Sequence, residues 1–265
     1  MSEPGRVVII GQGGVGKDLQ NRIGTRAVVA GARDFLDMAD GDVTELLHGA
    51  STVVFAHGAN VNTRSFRRDF GMLLQSRTRP VDKAAQHVTT GCRFIVVSST
   101  VAYSSPRDGE SLAALQTVYE AHFNKALQGH PTVILRFGTV VTGDGNVEQS
   151  LARLSLTFLL KRLRVLSPTD IAYVGTCAMQ AASDFIASSS SDFDGDIVMV
   201  AEPDGLDLNA LLDRLLPVRL TIRIPLRLYT WLFGLFGVRP EFFETRLALV
   251  REKGGPQLCC AHKPC

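Results

Sequence analysis

The sequence lacks the features that mark several classes of protein. Its 265 residues carry 28 basic and 26 acidic side chains, so no strongly basic field indicates nucleic-acid binding. Its five cysteines are an odd number without a framework spacing, which predicts reduced thiols in a reducing compartment. The longest apolar run, 228–238, has only eleven residues, whereas a helix that crosses a bilayer needs about twenty.

The two ends of the chain carry little that predicts targeting or metal binding. Residues 1–6 lead directly into an apolar run, so we expect no cleavable leader and a cytoplasmic location. Near the other end, cysteines and a histidine are crowded into seven residues, which indicates a flexible tail over 259–265 more than a metal site. No metal is predicted.

The segment 225–238 combines arginines with exposed-looking aromatic residues, among them Trp231. This pattern is typical of a helix lying on a membrane surface, but we favour a helix packed on the protein's own core or on a partner subunit, which explains the same pattern. The sequence therefore leaves open a peripheral membrane contact or a partner-subunit contact through this segment.

A glycine-rich turn follows the first apolar run, Val7–Ile10. A short buried strand, then glycines at positions one, three and six, then a helix, is the entry to a dinucleotide-binding βαβ unit. The first glycine makes the turn, the second admits a pyrophosphate, and the third lets the helix pack close to the strand. The predicted cofactor-binding residues here are Gly11, Gln12, Gly13, Gly14, Val15 and Gly16.

The same turn matches a second phosphate motif. Residues 11–17 also spell GxxxxGK, the core of a P-loop, in which a Ser or Thr that binds magnesium should follow Lys17. Asp18 stands there instead and would bring negative charge towards a triphosphate. We therefore favour the dinucleotide interpretation over nucleotide hydrolysis, and over a turn that binds nothing.

Strand-like and helix-like segments alternate along the chain. Apolar runs predict strands over 6–10, 26–30, 52–56, 93–98, 132–136 and 196–200, and helices are predicted over 14–23, 42–49, 63–76, 80–88, 109–128, 147–163, 169–187, 206–216, 225–236 and 240–251. This order predicts an α/β fold with a doubly wound, Rossmann-type parallel sheet. We expect a dinucleotide-binding domain over 1–165 and a smaller, mostly helical C-terminal lobe over 166–258 that carries substrate.

Four segments resemble those of a known family. They are Val53–Asn60, Ser98–Thr100 with Tyr103, Ile134–Gly138 with Gly143, and Ser167–Ile171. With the glycine turn, they are similar to the extended and atypical short-chain dehydrogenase/reductases, particularly the sugar-nucleotide branch that holds NAD-dependent epimerases and dTDP-4-dehydrorhamnose reductases. The resemblance implies that Ala56, His57 and Gly58 pass the cofactor ribose. It also implies that Ser99 polarises a substrate carbonyl.

Charge near the second strand bears on the choice of cofactor. Arg33 suits the 2′-phosphate of NADP, because a guanidinium forms bidentate, charge-assisted bonds to phosphate. Asp34 beside it opposes this choice, since an acidic residue there suits the ribose hydroxyl of NAD. By resemblance, Asp37 would bond the adenine amine. We predict NADP in preference to NAD.

The catalytic motif is degenerate. The family places Tyr and Lys four residues apart on one helix face, where lysine lowers the pKa of the tyrosine. Tyr119 is followed four residues later by Phe123, and Lys125 lies about 120° around the helix. Another alignment puts Gln116 and Glu120 at the paired positions. Three outcomes stay open: Tyr119 acts with Lys125, Tyr103 supplies the phenol, or proton transfer has been lost.

Two functions follow from these patterns. The first is NAD(P)-dependent hydride transfer at a carbonyl or alcohol carbon of a small molecule, as a reductase or epimerase of a sugar nucleotide, with Ser99, Tyr119 and Lys125 as catalytic candidates. The second is a catalytically silent NAD(P)-binding protein that serves as a structural, sensor or accessory subunit. The resemblance also implies a homodimer.

Overall fold

The computed structural model describes residues 5–58, 66–88, 91–103, 112–140, 156–158, 163–166, 170–171, 173–188, 191–202, 206–207, 220–235 and 257–258. Its strands are β1 (Arg6–Ile10), β2 (Ala27–Ala30), β3 (Ala50–Phe55), β4 (Arg93–Ser99), β5 (Thr132–Phe137), β6 (Thr139–Val140), β7 (Leu156–Phe158), β8 (Leu163–Leu166), β9 (Asp170–Ile171), β10 (Tyr173–Val174), β11 (Ile197–Val200), β12 (Leu206–Asp207), β13 (Leu220–Arg223) and β14 (Gln257–Leu258). Its α-helices are α1 (Gly14–Ile23), α2 (Ala32–Asp37), α3 (Asp40–Leu47), α4 (Phe66–Ala85), α5 (Leu112–Ala126), α6 (Thr176–Ala187) and α7 (Leu226–Leu235).

Seven of these strands form one parallel sheet in the order β14-β11-β5-β4-β3-β1-β2. The chain runs from β1 to β2 on one side and then returns to β3 on the other side of β1. Ligands of open α/β sheets bind at this kind of reversal, outside the carboxyl ends of the strands. The sheet therefore confirms the predicted doubly wound fold and opens a crevice between β1 and β3.

Both faces of the sheet are buried, which explains the continuously apolar strands. Successive side chains of a strand point to opposite faces, so Val7 and Ile9 pack on one side and Val8 and Ile10 on the other. Helices α1 and α6 cover the first side, and α2, α3, α4 and α5 cover the second. The core consists of these two apolar layers.

Several helix predictions differ from the structure. Within the helices predicted over 169–187 and 206–216, residues 170–171, 173–174 and 206–207 lie in the short strands β9, β10 and β12. Residues 66–85 form one helix that includes Pro80, where the sequence predicted a break between two helices. Residues 156–158 and 163–166 lie in strands β7 and β8, which form a small sheet with β13, whereas a helix was predicted over 147–163. Short apolar runs suit either structure, so the pairing of β8 with β13, distant in sequence, decides the conformation.

Part of the predicted C-terminal lobe belongs to the main sheet. β11 pairs with β5, and α6 packs on the same face as α1, although both lie within the 166–258 range assigned to the lobe. Helix α7 confirms the prediction over 225–236. The division of the remaining residues into a separate lobe stays a prediction, and the helix predicted over 240–251 and the tail 259–265 lie outside the described residues.

The structure bears on the predicted reduced state of the cysteines and on whether any helix could cross a membrane. Cys92 is buried and free, as expected, whereas Cys177 is disulfide-bonded, so the prediction that all five thiols are reduced is wrong for Cys177. Within the part of the chain that the structure describes, no helix has the length and apolar character needed to cross a membrane.

Candidate functional site

Gly11 and Gly16 allow three chain segments to meet at the end of β1. Gly11 has a φ of +138°, and a Cβ added to it would lie 2.5 Å from the carbonyl oxygen of Ala56 and 2.8 Å from the backbone nitrogen of His57. A Cβ on Gly16 would collide with the carbonyl oxygen of Gly11. The glycines therefore bring α1 and the end of β3 against the turn, as their spacing predicts.

The start of α1 is open to an incoming group. The N-cap, Gly13, offers no side-chain hydrogen bond, and a Cβ added to Gly13 or Gly14 would meet nothing within 4 Å. The N–H groups of a first helical turn have no intrahelical acceptor. Here they face open space beside the exposed Gln12 and the half-buried Val15. This end of α1 suits an anion such as a pyrophosphate.

The structure weakens the P-loop alternative. The carboxylate of Asp18 accepts a hydrogen bond from Arg22 Nε at 2.9 Å, an (i, i+4) ion pair along α1. This pair accounts for the acidic residue where a P-loop would carry a magnesium-binding hydroxyl.

The predicted adenosine-side residues lie on α2, just after β2. β2 ends at Ala30, and Arg33 stands exposed in the first turn of α2. Asp37 is exposed at the end of α2. The carboxylate of Asp34 lies against Gly31, and a Cβ on Gly31 would lie 3.4 Å from Gln12 Cδ. One cation and two carboxylates thus flank the carboxyl end of β2.

His57 is held by backbone rather than exposed to the crevice. Its Nε2–H donates to the carbonyl oxygen of Arg77 at 3.0 Å, and its buried Nδ1 has no partner. Burial lowers the pKa of His57 to about 4, so the ring is neutral at physiological pH. On either side of it, Ala56 is half-buried and Gly58 is exposed.

Ser99 ends β4 at the same edge of the sheet as the glycine turn. Its half-buried Oγ accepts a hydrogen bond from the backbone N–H of Val101 at 3.3 Å, which opens the 3-10 turn Thr100–Tyr103. The role that the resemblance implies for Ser99 stays a prediction.

Tyr119 and Lys125 do not form the predicted pair. Tyr119 is fully buried, its hydroxyl has no hydrogen-bond partner, and burial raises its pKa. Lys125 is exposed near the end of the same helix. Six positions of α-helix separate them by about 120°, and no distortion of α5 brings them to one face.

A buried ion pair stands beside Ser99 that sequence reasoning missed. Arg136 donates from Nε and Nη2 to the carboxylate of Glu120 at 3.0 and 2.6 Å, and Ser98 Oγ donates to the same carboxylate at 2.5 Å. The Arg136 guanidinium lies 4.3 Å from the ring centroid of Tyr103. Burial acts to lower the pKa of Arg136, but Glu120 and a hydrogen bond with Tyr103 leave it raised. A phenol is thus held against a cation four residues after Ser99.

Sequence spacing carries no signal for this cluster. Arg136 was noted as part of an Ile134–Gly138 passage and Glu120 as an alternative pair member, yet nothing in their positions joins them. They meet because β4 and β5 are neighbours and α5 packs across them.

Several solved protein structures have a similar fold. The dTDP-4-dehydrorhamnose reductase from Bacillus anthracis, solved with NADP, has a TM-score of 0.63 at 12% sequence identity, and the match covers 89% of this chain and 88% of that one. A short-chain dehydrogenase/reductase superfamily protein from Agrobacterium tumefaciens with bound NAD has a TM-score of 0.58 at 17% sequence identity. The match covers 94% of this chain and 93% of that one. UDP-glucuronic acid 4-epimerase from Bacillus cereus, solved with NAD and a UDP-sugar analogue, has a TM-score of 0.58 at 11% sequence identity. The match covers 83% of this chain and 87% of that one.

This chain shares their fold. No protein-family model and no curated protein sequence matches it. The likeness covers most of this chain and most of the first two structures.

The buried His57 generates a pH prediction. Because its folded pKa of about 4 lies below the ordinary 6.5, the folded state resists protonation more than the unfolded state does. Stability from this group is complete above pH 6.5 and is lost as pH falls towards 4, by about 3 kcal/mol in total. Urea unfolding of wild type and His57→Gln across this range measures the difference.

The exposed His48 supplies the control for this measurement. We expect His57→Gln to flatten the acid-side loss of stability and His48→Gln to leave it unchanged. Equal acid-side slopes for wild type and His57→Gln would contradict the prediction.

Proposed function

We propose that the protein is an NADP(H)-dependent oxidoreductase or epimerase of the short-chain dehydrogenase/reductase type, which transfers hydride at a carbonyl or alcohol carbon of a sugar nucleotide. The observation that carries this proposal is the uncapped start of α1, open at Gly13 and Gly14, beside the close contact of Gly11 with the end of β3. The neighbours solved with NADP, with NAD and with a UDP-sugar analogue support it.

Arg33 supports NADP over NAD within this proposal. The side chain is exposed one turn into α2, at the edge where the adenosine ribose of such a nucleotide lies. A guanidinium there forms bidentate bonds to a 2′-phosphate. Asp34, the competing acidic residue, is exposed beside Gly31 at the same edge, so the relative affinity for NADPH and NADH decides between the two cofactors.

Cofactor binding is tested by a substitution at Gly13, where a side chain fits the ligand-free protein but would occupy the space of a bound pyrophosphate. Calorimetry should show NADPH binding to wild type, more tightly than NADH. Gly13→Val should weaken NADPH by more than about tenfold, because the added methyl groups occupy the space of the pyrophosphate. The melting temperature should stay unchanged, since a Cβ at Gly13 meets nothing within 4 Å.

Gly41 provides the matched control, because it is exposed and a Cβ there also meets nothing within 4 Å. Gly41→Val should bind NADPH like wild type. The absence of heat with any pyridine nucleotide, together with tight uptake of magnesium–ATP, would overturn the proposed function.

For catalysis, Ser99 would polarise the substrate oxygen and Tyr103 would supply the proton. Tyr103 is half-buried at the crevice edge, and the guanidinium of Arg136 lies 4.3 Å from its ring centroid. Tyr119, the phenol first predicted for this role, is fully buried, and no lysine follows it one helical turn later.

The second candidate function is a silent NAD(P)-binding subunit. The observation that favours it is the state of α5, where Tyr119 is sealed in the core and the alternative pair is Gln116 and Glu120. Glu120 is already committed to Arg136 and Ser98.

Turnover separates the two candidates. With NADPH and a keto sugar nucleotide, Tyr103→Phe and Ser99→Ala should each lower kcat by about 10² or more, the usual contribution of acid–base catalysis. Tyr119→Phe should leave kcat unchanged, because its hydroxyl has no partner.

Melting temperature and NADPH affinity control for folding in all three variants. If only Tyr119→Phe lost activity, the proton donor would be Tyr119 and not Tyr103. NADPH binding without turnover on any keto sugar nucleotide would select the silent subunit.

The proposal includes a peripheral contact through 225–238. On α7, Leu228, Trp231 and Leu235 are 45, 59 and 65% exposed, and their spacing places them along one side of the helix. Such an apolar stripe suits a membrane surface or a second copy of the chain.

Trp231 is the only tryptophan in the sequence, so intrinsic emission reports on this stripe alone. We expect its emission to shift to shorter wavelength when the stripe is covered. A shift on adding anionic vesicles identifies a membrane contact, and a shift with rising protein concentration identifies a dimer. Emission that stays at the solvent-exposed wavelength in both titrations would contradict the contact, and Trp231→Phe provides the blank.

A further inference from the structure

Four buried side-chain atoms without hydrogen-bond partners come from side chains that converge at the carboxyl end of β3. Each side chain is more than nine-tenths buried, and the three elements that supply them are the residue pair after β3, helix α4 and helix α5. The atoms are His57 Nδ1, Arg77 Nε, Gln116 Oε1 and Tyr119 Oη.

Contacts join these groups into one cluster. His57 bonds to the carbonyl oxygen of Arg77, and its ring meets that of Tyr119 edge to face at a centroid distance of 6.2 Å. Arg77 lies near enough to Tyr119 for each group to affect the pKa of the other. Gln116 lies one turn before Tyr119 on α5.

Arg77 is the charged member of this cluster, and the described part of the chain offers it no counter-charge. No carboxylate pairs with it among the residues the structure describes, and residues 59–65, which follow β3, include no Asp or Glu in the sequence. His57, Gln116 and Tyr119 are neutral at physiological pH. A buried cation without an anion is costly unless something supplies the charge.

The position of Arg77 indicates where that anion comes from. A Cβ added to Gly58 would lie 2.5 Å from Arg77 Nη1, and the preceding residue, His57, is the one whose backbone abuts Gly11. The guanidinium therefore reaches the same edge of the crevice as the glycine turn, from the side opposite α1.

We propose that Arg77 is an anion anchor of the nucleotide site, which donates hydrogen bonds to the phosphate groups of a bound nucleotide across the crevice from the start of α1. The inference rests on the proposed function and extends it to a residue outside every motif of the sequence. A forked guanidinium suits two phosphate oxygens at once. The diphosphate of a dinucleotide and that of a sugar nucleotide share this chemistry.

Ligand affinity and ligand-free stability together test this role. Arg77→Gln should weaken ADP-ribose or UDP about ten- to hundredfold by calorimetry, the loss of a hydrogen bond to a charged group. Its ligand-free melting temperature should equal or exceed that of wild type, because an unpaired buried charge has been removed. Arg77→Lys should retain part of the affinity.

Arg79, exposed two residues along the same helix, is the matched control, and Arg79→Gln should bind both ligands like wild type. A loss confined to ADP-ribose places the dinucleotide against Arg77, and a loss confined to UDP places the substrate there.

Two results would overturn the inference. One is unchanged affinity for both ligands in Arg77→Gln. The other is a melting temperature that falls with affinity in both Arg77 variants, as a structural residue predicts. Failure of wild type to bind any pyridine nucleotide would instead overturn the proposed function, so the two failures are distinguishable.

Discussion

The close approach of β1 to the end of β3 is the constraint on which the site depends. Gly11 leaves β1 with a positive φ, and its missing side chain lets the backbone of Ala56 and His57 lie where a Cβ would stand. Gly16 in turn brings α1 against Gly11. A side chain at either glycine separates the two strands or the helix from the turn, and the crevice at the sheet reversal would lose its shape.

Polar groups around this crevice fall into two kinds. The start of α1 and Arg33 are exposed and have no ligand of their own within the described chain, as suits groups that await a nucleotide. By contrast, Glu120 and Arg136 are buried and satisfy each other, and they hold Tyr103 in place. Arg77 belongs to neither kind, because it is buried and unpaired. Burial lowers the pKa of its guanidinium.

Local patterns predicted the sheet and the phosphate turn well, and the cluster around α5 poorly. The apolar runs at β1, β3, β4 and β5 are buried on both faces, so their composition alone reveals them. The strand over 163–166 was missed because its pairing partner lies more than fifty residues away in sequence. The sequence left the role of Tyr119 open for a similar reason, since helical spacing shows which residues share a face but not which face is buried.

The sequence by itself determined the doubly wound fold, the glycine turn and the absence of a lysine four residues after Tyr119, because each depends on residues close together in the chain. Only the tertiary structure decided which side chains surround the crevice. Arg77 reaches Gly58, and Arg136 reaches Glu120 and Tyr103, across gaps of sixteen to thirty-three residues. Such contacts depend on strand order and helix packing, which residue spacing does not encode.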